Sequence, residues 1–150
     1  VDKQSLIDLA KQTAVKYGLD PNIVCAVIEQ ESGWNTSAIR YEPSFMTKYV
    51  APLYTSGKLS ATEAYARSFS WGLMQIMGQV AREEGFEGPF LAELCDPATG
   101  IDLGCIHLKN DFDRMNWDSA AALQRWNGGG NPNYAAEVLA RVDNYAVSNQ

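Results

Sequence analysis

DPNIVCAVIEQESG, residues 20–33, is the stretch on which the fold reading turns. Asp20-Pro21 is a helix start. An aspartate side chain accepts from the free N–H groups of a first turn, and proline is tolerated there because its missing N–H would have had no partner. Gly33 suits the opposite end, where a left-handed residue closes a helix. At about 100° per residue, Val24, Val27, Ile28 and Glu31 fall at i, i+3, i+4 and i+7 and form one stripe. A carboxylate therefore stands on the apolar face, in the last turn. Glu29 points to nearly the opposite side and reads as an ordinary solvated carboxylate.

Glu31 is the anomaly. A carboxylate on a core stripe is desolvated unless it is paired, protonated or lining a cleft. Desolvation raises a carboxyl pKa, and the negative end of a helix raises it further. A carboxylic acid that keeps its proton near neutral pH is what general-acid chemistry needs. The competing reading is a buried glutamate bonded to backbone or to an arginine. The wheel alone leaves both open.

The same periodicity runs outward from this helix. Lys3 to Tyr17 is helical, with Leu6, Leu9, Ala10 and Ala14 on one side and Gly18 at the end. Ser60-x-x-Glu63 is a capping-box pattern. Leu73 to Glu84 reads as a helix closed by Gly85, and Gly88-Pro89 as a turn. Asp96-Pro97 repeats the cap-plus-proline signature, followed by Ile101, Cys105, Leu108 and Phe112 at helical spacing. Asp118 caps a helix over Ser119 to Trp126. After Gly128-Gly129-Gly130, Asn131-Pro132 starts a last helix with Tyr134, Val138, Val142 and Tyr145 on one face. Alternating strands are absent. The expectation is an all-α fold, α+β at most, built as one globular domain over residues 1–150 with a substrate cleft.

Composition narrows the function classes. The 150 residues carry a formal net charge of −6, which argues against nucleic acid. No run approaches the roughly 18 apolar residues that spanning a membrane requires. The chain opens at Val1 without a secretory leader, so a leader or another domain is expected to lie outside it. The three cysteines fit no zinc motif. Cys95 and Cys105 would lie about 13–15 Å apart along a helix, beyond the roughly 7 Å that a disulfide tolerates. His107, off its helix's apolar stripe, reads as a surface residue and lacks a nucleophile elbow for a triad. Asp111-x-Asp113 lacks the glycine and terminal glutamate of a calcium loop. Of the four tryptophans, only Trp34 or Trp71 is a candidate to line a sugar-stacking groove.

Three further stretches give Glu31 a context. Glu31-Ser32, Gly72-Leu73-Met74-Gln75-Ile76 and Trp126-Asn127-Gly128-Gly129 stand in the order of three motifs. These are the Glu-Ser, Gly-Leu-Met-Gln and Tyr-Asn-Ala-Gly motifs of lysozyme-like lytic transglycosylases of the soluble type (glycoside hydrolase family 23). The chain resembles that family from about Ile7 to Tyr145, with Asp96-Pro97 to Leu108 similar to its central helix. The resemblance implies a lysozyme-like fold and cleavage of the β-1,4 bond between N-acetylmuramic acid and N-acetylglucosamine in peptidoglycan. It implies Glu31 as the single general acid and base, a 1,6-anhydromuramoyl product, no cofactor and no metal. It also implies action at the bacterial cell wall by a monomer whose partners are glycan strands, not nucleic acid or a membrane. Ser32, Met74, Gln75, Trp126, Asn127 and Tyr134 are the implied substrate-binding set. For Met74 the alternative is core packing, and for Ser32 a bond to a backbone carbonyl.

The chain departs from the family in three places. Trp126 stands where the family has tyrosine, and an indole N–H donates but neither accepts nor readily gives up a proton. Tyr134 is the available substitute. Arg40 stands where many relatives have serine, nine residues after the glutamate, and would lower the pKa of a carboxylate it met. The link Tyr41 to Ser70 is long, as in some phage-type members, and suggests a lid or groove wall. It holds Glu42, a possible second carboxylate. Facing Glu31 at roughly 6.5–9.5 Å it would activate water and make the enzyme a hydrolytic, goose-type or chitin-cleaving lysozyme. Paired with Arg40 it would be structural. A non-catalytic glycan-binding module on the same fold is the reading from outside the enzymes.

Overall fold

The computed structural model describes residues 1–147. In chain order the elements are helices α1 (Lys3–Lys16) and α2 (Pro21–Ser32), strand β1 (Ile39–Tyr41) and the helical turn α3 (Pro43–Phe45). A π-helical turn (Met46–Val50), α4 (Ala51–Thr55), α5 (Ala61–Arg67) and strands β2 (Phe69–Trp71) and β3 (Ile76–Met77) follow. Then come α6 (Gly78–Glu83), a 3-10 turn (Leu91–Cys95), α7 (Pro97–Arg114), α8 (Ser119–Asn127), α9 (Tyr134–Leu139) and a closing 3-10 turn (Val142–Tyr145). The protein is mostly helical, as the periodicity predicts. The chain forms two compact units, one of residues 1–34 with the chain from Cys105 onward, the other Asn35–Gly104.

The first unit is organised on α2. The Asp20 side chain accepts from the Asn22 N–H at 2.8 Å, and Gly33 closes the helix at φ 57°. Between these caps every residue from Ile23 to Ile28 is buried, so the helix is enclosed on all sides and not along one stripe. Helix α1 packs along it through Leu6, Ala10 and Ala14, and α9 and the closing 3-10 turn also flank it. Helices α8 and α9 pack on each other. The last helix is shorter than its apolar spacing suggests. It ends at Leu139, and a 3-10 turn carries Tyr145 inward.

The second unit corrects the sequence reading. It holds an antiparallel sheet in the order β1-β2-β3, with Ile39 opposite Trp71, Tyr41 opposite Phe69, and Trp71 also opposite Ile76. Strands of two or three residues are too short to show alternation, so no period could announce them. The expected helix from Leu73 begins only at Gly78, because Gly72 (φ 69°) and Gln75 (φ 52°) turn the chain into β3 first. Glycine is required at 72. A Cβ there would stand 2.5 Å from the Leu94 carbonyl oxygen. The long link supplies α3, α4 and α5, and its capping box is real, with the Glu63 N–H on the Ser60 hydroxyl at 3.1 Å.

Glu63 joins that link to the rest of its unit. It accepts from Arg67 Nε at 2.9 Å and Arg82 Nε at 2.8 Å, while Arg82 also donates to the Phe86 and Gly88 carbonyls. Burial pushes the Glu63 carboxyl up, but the hydrogen bonds and charges of Arg82 and Arg67 outweigh it and leave the group below the ordinary glutamate value. A folded-state pKa below the unfolded one stabilises above the unfolded value and is lost as pH falls through the folded one. Glu63→Gln is therefore expected to cost about 2 kcal/mol at neutral pH. In urea melts from about pH 6 to about pH 3, the gap between wild type and variant should narrow as the wild-type carboxylate protonates.

Candidate active site

The last turn of α2 sorts its polar side chains. Gly33 and then Trp34, at φ 68°, both take the left-handed conformation, a strain of roughly 1–2 kcal/mol for a residue with a Cβ. The double turn sends the Trp34 ring into the first unit, 7% exposed, where its N–H donates to the Tyr145 hydroxyl at 2.9 Å. Trp34 is thus held in the core and lines no groove. Tyr145 in turn donates to Glu29 at 2.8 Å, and Arg141 meets the other Glu29 oxygen at 3.2 Å. Glu29 is therefore no free surface carboxylate. Burial raises it, but Tyr145, Asn144 and Arg141 prevail and hold it below its ordinary value.

Glu31 takes a different set of partners. Its Oε1 accepts from the Tyr134 hydroxyl at 2.7 Å and from the Trp126 Nε1–H at 3.2 Å. Trp126 comes from the last turn of α8, and Tyr134, 4% exposed, is the first residue of α9. Gln124 sets the distance between those helices. Its side-chain oxygen accepts from the Ala135 N–H at 2.7 Å, and its amide donates to the Asn131 carbonyl at 3.2 Å. Burial first, then the charge and hydrogen bond of Glu31, push the Tyr134 phenol far above the ordinary tyrosine value. Tyr134 is thus a fixed hydrogen-bond donor to Glu31 and no source of phenolate. Both of these donors fall on the same carboxylate oxygen, Oε1.

The other expected site residues lie as follows. The Ser32 hydroxyl donates to the Ile28 carbonyl at 3.1 Å, the helix-end bond. The Asn127 amide, turned so that its oxygen faces donors, accepts from the Gly130 and Asn131 N–H groups at 3.0 and 2.8 Å, holding the glycine loop. In the second unit Met74 is 0% exposed, with its side chain against the bare Cα of Gly104, so core packing occupies it. Gln75 accepts from the Ser70 hydroxyl and donates to the Ala38 and Gly72 carbonyls, each at 2.9 Å. Its amide ties the sheet together. Glu42 pairs with Arg40 at 2.9 Å, which is the structural arrangement the sequence allowed for both. Trp71 is half-buried and donates to the Ala66 carbonyl at 2.9 Å. None of the three cysteines is in a disulfide. Among the described residues no three His, Cys, Asp or Glu side chains gather to hold a metal ion, and no helix is long and apolar enough to cross a membrane.

One residue read as surface belongs beside this site. The His107 ring lies 5.5 Å from the Trp126 ring at a 46° tilt, and its side chain is 28% exposed. The available signal was His107 and Asp111 at i and i+4, which share a side of α7.

A family model described as the transglycosylase SLT domain matches residues 8–144. No solved structure matches the chain.

The phenol shifts give a direct check. Tyr145, raised by burial and by Glu29, lies at about 12, and Tyr134 lies higher still. In an alkaline titration followed by phenolate absorbance, Tyr145→Phe should remove signal from the high-pH end, whereas Tyr134→Phe should leave the curve of the folded protein unchanged. Loss of signal near the ordinary tyrosine value of about 10 would contradict the assignment.

Proposed function

The chain belongs to the transglycosylase SLT domain family and is a peptidoglycan lytic transglycosylase, and from that premise we propose that Glu31 is its single catalytic acid and base. The observation that supports this is the pair of donors on Glu31 Oε1, from Tyr134 at 2.7 Å and Trp126 at 3.2 Å. The proton carried on Oε2 passes to the glycosidic oxygen between N-acetylmuramic acid and N-acetylglucosamine as the C1–O bond breaks. The carboxylate charge that appears at that moment is shared with the phenol and indole donors, through charge-assisted hydrogen bonds already in place. The muramic 6-hydroxyl then attacks C1, and Glu31 takes its proton. The products are a free 4-hydroxyl and a 1,6-anhydromuramoyl end, and the enzyme is returned to its starting protonation state.

Trp126 fits this scheme in place of tyrosine. The step asks the residue to donate, and an indole N–H donates. Tyr134 supplies the shorter of the two bonds. No second carboxylate is used. Glu42, the candidate for activating water, is engaged with Arg40, which weighs against a hydrolytic, inverting route. Glycan strands are the substrate and the bacterial cell wall is the place of action. The match over residues 8–144 supports reading both compact units as parts of one catalytic domain.

Digestion of purified peptidoglycan followed by mass spectrometry tests the reading. Wild-type fragments are expected one water lighter than hydrolysis products. Glu31→Gln should lower their release by about 10³-fold or more with the fold retained. Fragments of full hydrolytic mass, or lysis by Glu31→Gln at the wild-type rate, would overturn it.

A further inference from the structure

We propose that His107 is a positioning residue for the reaction: it holds the Trp126 indole at the angle from which its N–H reaches Glu31. The inference rests on the reading of Glu31 as the acid and goes beyond it by assigning a residue that acts through the Trp126 indole.

An indole offers one hydrogen-bond donor and no acceptor. Its single donor is fixed at one edge of a rigid bicycle, so aiming the N–H means aiming the whole ring. A tyrosine hydroxyl can rotate about its C–O bond to find an acceptor, and an indole cannot. Trp126 lies in the last turn of α8, next to Asn127 and the left-handed Gly128, where the chain leaves helical geometry. Its bond to Glu31 is 3.2 Å, longer than the 2.7 Å from Tyr134. A long bond from a rigid donor depends on whatever sets the ring.

His107 is placed to set it. It reaches from α7 and lies against the indole, with ring centroids 5.5 Å apart and planes tilted by 46°. One turn further along the same helix, Asp111 Oδ2 stands 3.8 Å from His107 Nε2, a charge neighbour beyond hydrogen-bond distance. Asp111 is 4% exposed, and its other oxygen pairs with Arg125 Nε at 3.1 Å. Arg125 precedes Trp126 in the chain, so the carboxylate that faces His107 also ties down the backbone next to the indole. His107 packs on Trp126, Asp111 pairs with Arg125 beside it, and all four residues lie in the same compact unit as Glu31 and Tyr134. If the ring drifts, the N–H leaves Glu31 and the developing charge loses one of its two donors.

A double-mutant cycle on turnover of soluble glycan strands tests this, using the full chain. His107→Ala should lower kcat about tenfold with KM unchanged, whereas His107→Phe, which keeps a flat ring against the indole, should stay within about twofold of wild type. Trp126→Phe removes the N–H that His107 aims. In that background His107→Ala should cost nothing further, because coupled residues do not add. A loss of the same size in both backgrounds, a change confined to KM, or a His107→Phe variant as impaired as His107→Ala would overturn the proposal. Thermal melts of each variant identify any that fails to fold, and for those the His107→Phe comparison decides. Glu31→Gln is the control for the premise. Retained activity there defeats the reading of Glu31, while an inactive Glu31→Gln with additive His107 and Trp126 effects defeats this inference alone.

Discussion

Six consecutive residues of α2, Ile23 to Ile28, are shut away from solvent, and the rest of the first unit is arranged around that fact. A helix buried on every side cannot send its next turn back to water freely. The polar residues that follow, Glu29 to Glu31, meet partners brought by other parts of the chain. Those partners come from more than 90 residues downstream: Trp126, Tyr134, Arg141 and Tyr145. The C-terminal segment packs on α2 because its polar groups answer the polar end of a buried helix. The left-handed pair Gly33 and Trp34 completes the arrangement by turning the tryptophan inward to Tyr145.

Three glutamates show how environment divides one chemistry into separate roles. Glu29 is met by a guanidinium and a phenol, which keep it an anion. Glu42 faces Arg40 at the entrance to the long link and serves as a local ion pair. Glu31 has neutral donors on its Oε1. Neutral donors support a negative charge when it forms without imposing one beforehand, which is the electrostatic ground on which an acid and base role is proposed for Glu31. Arg40 departs from the family pattern at a position where it was a threat to Glu31, and its pairing with Glu42 gives that charge a partner.

In the second unit, residues of the most specific motif serve the backbone. Gly72 leaves room for the Leu94 carbonyl, Met74 fills the space that Gly104 leaves, and Gln75 spends its amide on the Ser70 hydroxyl and two carbonyls. The left-handed Gln75 is held by those bonds, so a strained turn and a polar clip support each other. The motif Gly-Leu-Met-Gln is in this respect a folding instruction for three very short strands.

Much of the fold was legible because caps and helical spacing are local. Asp20, Pro21 and Gly33 bound α2, Ser60 and Glu63 open α5, and Asp118 opens α8, each through bonds to residues at most four positions away. Glu31 was legible too, since one charge on an apolar stripe is visible within a single helix. The sheet was not, because its strands are shorter than the period that would reveal them. Nor was the polarity of the site. Whether Trp126 and Tyr134 donate to Glu31, and whether His107 meets solvent or an indole, are pairings across the fold. A linear pattern carries the periodicity of one element at a time. The choice among partners is made by distances and directions that exist only once the helices have packed.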